Sequence, residues 1–232
     1  MELVLTLRQG ESLLVTLGIP LGVLVFFSVV DVVPTGDADP VEFLVPGVLA
    51  ISVMSVGLVA LAIQTAFERK YLVLKRLGGT PLPRWGLLAA KALAVLGALV
   101  VQTVLVLVVA RLGLGWEAGG SAAAVLVGLI AGAATFSAIG LLLAGTIKAE
   151  LVIGLANALF LILLVVSGLA FETDALPGPV AGVGAVLPSG ALGAVLRDGL
   201  AGTWNGGALA TLVAWGLAAG TWAARSFRWE PS

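Results

Sequence analysis

The 232-residue chain is 60% hydrophobic and 11% charged, with a formal net charge of −1, where a soluble domain carries roughly a quarter charged residues. That leaves too little polar surface to coat a water-soluble body, and a mean hydropathy of +1.16 suits one that meets lipid. There is no cysteine and no histidine, which excludes disulfides, thiolate chemistry and any site that needs histidine as base, haem ligand or zinc ligand.

In chain order, Met1–Glu11 mixes Leu3, Val4, Leu5 and Leu7 with Arg8 and Gln9, and it is expected to lie flat at the inner interface. It lacks the basic leader of a secretory signal, so the first apolar block is expected to stay in the mature protein. Six apolar blocks are predicted as transmembrane helices: 12–33, 43–67, 86–110, 121–147, 151–171 and 205–224. Each is about 20 residues or more, enough at 1.5 Å per residue to cross a hydrocarbon layer roughly 30 Å thick. Helices are required because lipid offers no partner to a backbone amide. Barrel strands would be blocks of about ten residues with alternating polarity.

Two intervening segments are not simple turns. Residues 68–85 read ERKYLVLKRLGGTPLPRW, a short basic helix ended by Gly78-Gly79 and kept from continuing by Pro81 and Pro83. Residues 172–204 hold two apolar stretches too short to span, divided by Pro177, Pro179 and Pro188. They are expected to form short outer helices that dip into the leaflet or cap the bundle, with Arg197-Asp198 marking the return to water.

Charge sign orients the blocks. With the amino terminus inside, Arg8, Arg69, Lys70, Lys75, Arg76, Arg84, Lys91, Lys148, Arg225 and Arg228 fall on the inner side and only Arg111 and Arg197 on the outer. The acids Asp31, Asp37, Asp39, Glu42, Glu117, Glu172, Asp174 and Asp198 fall outside. This bias of Lys and Arg predicts both termini in the cytoplasm and an even number of spans. Lys91, one to two turns into the third block, is expected to snorkel to the inner headgroups.

The fold expected is therefore all-α: a single membrane domain over 1–232 with six spans. It has a cytoplasmic helix in 68–85 and re-entrant helices in 172–204. Small residues recur four apart at Gly18/Gly22, Gly128/Gly132, Gly140/Ala144, Gly154/Ala158 and Gly216/Gly220, a spacing that lets helix backbones approach. Gln64, Gln102 and Asn157 are the notable polar residues inside the blocks. Each either joins helices or faces a substrate route. A route lined by leucine, valine and small residues suits an amphiphilic cargo better than a sugar or an ion.

No phosphate-binding Gly-x-x-x-x-Gly-Lys-Ser/Thr loop occurs. No nucleophile–base set, metal-ligand set or intramembrane carboxylate pair is apparent, nor a basic patch with interleaved aromatics for nucleic acid. The chain is thus expected to hold no catalytic residue, no metal and no cofactor of its own.

The stretch Leu74-Lys75-Arg76-Leu77, followed by Thr80-Pro81-Leu82-Pro83-Arg84-Trp85, resembles the inner loop after the second helix in permease subunits of type-2 ABC exporters, most closely those similar to daunorubicin-type drug-export permeases. The run from Asn157 to Pro177, ending SGLAFETDALP, is similar to that family's fifth helix and its outer extension, and Pro188 to Leu200, PSGALGAVLRDGL, to its second short outer helix. The resemblance implies a permease of a bacterial or archaeal plasma membrane, exporting an amphiphilic, lipid-like or drug-like substrate. A lipid or polysaccharide precursor is the alternative within the family, and multidrug efflux with antibiotic resistance is the associated role. It implies two separate ATPase subunits that bind ATP and Mg, a second copy of this or a similar permease, and contact with membrane lipids. Coupling to the ATPase would fall on Glu68, Arg69, Lys70, Lys75, Arg76, Leu77, Thr80 and Pro81, and an outer gate on Pro177, Pro188, Arg197 and Asp198. Against this stand two other readings: a non-transporting membrane anchor that recruits a cytoplasmic partner through 68–85, and basic residues there that serve topology alone.

Overall fold

The computed structural model describes residues 20–22, 24–28, 40–72, 84–117, 119–169 and 178–227. Residues 20–22 and 24–28 are helical, and seven further helices follow among the described residues. Helix α1 runs without a break through Pro40–Met54, a π segment Ser55–Ala60, and Leu61–Lys70; α2 is Arg84–Val108, extended by a π turn Val109–Gly113. Then come α3 (Ala122–Thr146), α4 (Ala149–Val166), the short α5 (Gly178–Val186) and α6 (Pro188–Leu200), and α7 (Gly206–Ser226). Five of these, α1, α2, α3, α4 and α7, are long and apolar enough to cross a membrane. The protein is an all-α, multi-pass membrane protein with about five spanning helices. Most of block 12–33, the segment Met1–Glu11, and residues 73–83 and 170–177 lie outside the described residues.

The ends of these helices follow local chemistry. Ser121 caps α3, its hydroxyl accepting from the Ala124 amide at 3.3 Å, and Asn205 caps α7, its carbonyl accepting from the Ala208 amide at 2.9 Å. Pro188 opens α6, where its missing N–H is no loss. Thr146 and Ala149 are separated by only Ile147 and Lys148, so α3 and α4 are bound to be antiparallel neighbours.

Helix α3 is the centre of the bundle, in contact with α1, α2, α4, α6 and α7. Its small residues set the spacing. A Cβ on Gly128 would lie 2.7 Å from Val195 of α6, and one on Gly132 2.7 Å from Leu192. A Cβ on Gly140 would lie 2.7 Å from the carbonyl oxygen of Gly57, in the π segment of α1. A Cβ on Gly57 would in turn lie 3.2 Å from the Cβ of Phe136. The widened π turn thus brings the α1 backbone directly against α3. On the other side Thr135 donates its hydroxyl to the Leu212 carbonyl of α7 at 2.9 Å, beside Gly216. In lipid, where burial of apolar surface does not drive helices together, such close contacts hold the bundle.

Helices α5 and α6 form a hairpin inserted beside α3. The side chain of Trp215, nine residues along α7, donates to the Val186 carbonyl at 2.9 Å. The hairpin turn therefore sits about 14 Å in from the start of α7. Ser189 donates to the Leu163 carbonyl of α4 at 3.1 Å, and most of α6 is buried. The outer faces of α2, α4 and α7 carry exposed apolar residues such as Val104, Leu151, Leu161, Val213 and Leu217, as a lipid-facing surface requires.

Of the paired small residues, Gly128/Gly132, Gly140 and Gly216 sit at helix contacts, whereas Gly154/Ala158 is exposed with nothing near Gly154. Gly140→Val is accordingly expected to cost about 1–3 kcal/mol by overpacking and to lower the melting midpoint of the protein in lipid discs. Gly154→Val should leave it unchanged.

Candidate functional site: a polar staple at the end of α1

Successive residues of a helix point about 100° apart. At the end of α1 this aims three neighbouring side chains at three helices. Glu68 turns to α2, where the Lys91 ammonium donates to Oε2 at 2.6 Å. The other carboxylate oxygen, Oε1, accepts from the Gln64 amide at 3.0 Å. Arg69 turns to the end of α3. It is 2% exposed, and its Nη1 donates to the Gly145 carbonyl at 2.7 Å while Nη2 donates to the Ile147 carbonyl. Lys70 turns to α4 and pairs with Glu150 at 2.5 Å across an exposed surface, its ammonium lying over the Phe67 and Tyr71 rings.

Each contact has a physical reason. The last carbonyls of a helix have no intrahelical donor and carry its negative pole. A buried guanidinium with a planar fork of donors answers both needs at α3. Glu150 stands in the first turn of α4, the favourable place for an acid. Beyond the staple the chain leaves α1 sharply: Leu72 adopts φ 58°, with its amide bonded to the Arg69 carbonyl at 3.1 Å. A leucine in that left-handed conformation costs about 1 kcal/mol or more.

Lys91 corrects one expectation. Its stem does not run out to the headgroups; the side chain is 3% exposed and its charge is spent on Glu68. A carboxylate within reach inside the bundle outcompetes the path to water. Lys91, Glu150 and the carbonyls of Gly145 and Ile147 were not among the site residues read from sequence. The signal for Lys91 was present, since a cation inside an apolar block calls for a partner. Nothing in a one-dimensional pattern marks backbone acceptors 76 and 78 residues away from Arg69.

The other candidates scatter. Glu68 and Arg69 are engaged within the chain, Lys70 is exposed beside them, and Lys75, Arg76, Leu77, Thr80 and Pro81 lie outside the described residues. Gln64 serves Glu68. Asn157 is exposed on α4, its amide donating to Ile153 of its own helix at 2.7 Å. Gln102 is buried, and among the described residues neither of its amide atoms has a partner. At the far end of the bundle, Pro188 opens α6 and Asp198 accepts from Asn205 at 2.7 Å, tying α6 to the cap of α7; Arg197 is half-buried in the last turn. Pro177 lies outside the described residues. No group of three or more potential metal ligands occurs among the described residues.

The staple is a mechanical device rather than a chemical one: it ties α1, α2, α3 and α4 at one level. Removing one partner of the buried pair, Lys91→Met or Glu68→Gln, should cost about 3–5 kcal/mol, and the double variant Lys91→Met/Glu68→Gln distinctly less than the sum. A double-mutant cycle on melting midpoints measures this.

No curated protein matches the chain. A family model described as "ABC-2 family transporter protein" matches residues 34–224, from before α1 to near the end of α7. A bundle of apolar spanning helices with a dense polar cluster at one end accords with that match, and the chain belongs to the ABC-2 family of transporter proteins.

Proposed function

We propose that this chain is the membrane half of an ATP-driven exporter for an amphiphilic, lipid-like or drug-like substrate, in a bacterial or archaeal plasma membrane. It crosses six times, block 12–33 supplying the span beyond the five described, with both termini and the loop 68–85 in the cytoplasm. The gathering of Arg69, Lys70, Lys91, Lys148 and Arg225 at one end of the bundle supports this orientation. Two ATPase subunits supply ATP and Mg chemistry, and a second permease copy completes the route. The exposed Asn157 amide, on an otherwise apolar face of α4, supports a neighbour or a pathway there.

The observation that carries the reading is the staple. The segment an ATPase would push opens on Glu68, Arg69 and Lys70, the last turn of α1, so its displacement reaches α2, α3 and α4 together. Side chains within the loop, Lys75, Arg76, Leu77, Thr80 and Pro81, make the ATPase contact. Glu68 and Arg69 relay it. The hairpin of α5 and α6, with Pro188, Arg197 and Asp198, and Pro177 before it, closes the route on the outer side.

Lys75→Glu/Arg76→Glu should abolish co-purification with the ATPase and stimulated ATP turnover without lowering the melting midpoint. Arg69→Glu should lower the midpoint itself. The absence of cysteine permits a topological check: Lys75→Cys should resist impermeant maleimide in intact cells, and labelling from outside would overturn the orientation and the coupling with it. ATPase binding without substrate-stimulated turnover would favour an anchor over a transporter.

A further inference from the structure

Gln102 sits on the buried stripe of α2 with Val95, Leu99 and Val106, and is 1% exposed. Among the described residues neither its Nε2 nor its Oε1 has a hydrogen-bond partner. A carboxamide offers two donors and two acceptor positions, and leaving them unmade in an apolar interior is costly. The ordinary reason for an amide inside a membrane bundle is a bond to another helix, and among the described residues there is none. Gln64 and Asn157, by contrast, are exposed and bonded.

Its place follows from the staple. Lys91 faces Glu68, and α2 runs antiparallel to α1. Gln102 lies eleven residues on from Lys91, which sets it level with Gly57, eleven residues back from Glu68, within the π segment Ser55–Ala60. Helix α2 touches this segment. The stripe around Gln102 is apolar, and the nearest charges on this seam, Lys91 and Glu68, neutralise each other about 16 Å away. Such a setting suits an uncharged partner.

We propose that Gln102 is a binding residue for a neutral hydrogen-bonding group, received inside the membrane when α2 parts from the π segment. The group comes either from the polar portion of an uncharged amphiphilic cargo or from water. The first source rests on the permease reading; the site itself does not.

The test uses the full chain in lipid discs, with decanamide as probe because a primary amide can pair with the Gln102 carboxamide through two hydrogen bonds. Gln102→Leu, with Gln102→Met as the alternative should leucine fail to fold, is expected to melt roughly 2–8 °C above wild type, since it removes an unsatisfied amide. Decanamide should raise the wild-type midpoint saturably and leave Gln102→Leu unmoved, while decane moves neither; that outcome assigns the cargo source. Decanamide without effect, but faster reaction of Gln102→Cys than of Leu99→Cys with N-ethylmaleimide, assigns water. If both apolar variants melt at or below wild type, or if neither decanamide nor the maleimide finds the site, the proposal is overturned. None of these measurements needs an ATPase, so a failed transport assay would remove the permease reading and leave the site standing, and the reverse.

Discussion

A guanidinium buried against the end of another helix is the contact on which this bundle turns. Arg69 satisfies carbonyls of α3 that no backbone donor can reach, and it does so at the point where the chain also turns into α4. Because its sequence neighbours Glu68 and Lys70 reach α2 and α4, one turn of α1 fixes the relative heights of four helices. Apolar packing in lipid fixes heights poorly, since one leucine contact resembles the next and lipid competes for each. Directional polar contacts supply the register that greasy surfaces lack.

Above that level, steric fit takes over. Gly128, Gly132 and Gly140 on one helix admit α6 and the π segment of α1 to distances at which any side chain would collide. The hairpin of α5 and α6 is held by the same means, with a Cβ on Gly184 lying only 2.2 Å from the Val166 carbonyl. Hydrogen bonds from Ser189, Trp215 and Asn205 then lock it to α4 and α7. The bundle has polar fastening at both ends and backbone-close packing between.

How much of this could be read from sequence differs by level. Apolar block length was enough to assign an all-α membrane body, because 20 apolar residues in lipid have one common solution. Pro188 marks the boundary between α5 and α6, because its ring fits the first turn of a helix and cannot continue the one before it. The roles of single charges were not legible. Arg69 and Lys70 are adjacent in sequence and alike in charge, yet one is buried and the other exposed, a difference made by the rotation of α1 relative to its neighbours. Glycine spacing had the same ambiguity: Gly140 and Gly154 carry similar patterns, and only the three-dimensional neighbours distinguish a contact from an open face. The π segment in α1 has no sequence signature at all; its closeness to α3 is visible only in three dimensions.

The Gly57–Gly140 contact has a kinematic consequence when taken with Arg69. These two points of fixation between α1 and α3 are twelve residues apart on α1, or about 18 Å. A pair of rods joined at two separated points loses its relative rotation and moves as a single strut. Any change of shape must then be absorbed at the perimeter, and α2, anchored to α1 by an ion pair near one end and without a partner for Gln102 among the described residues farther along, has the constraints of a door on one hinge.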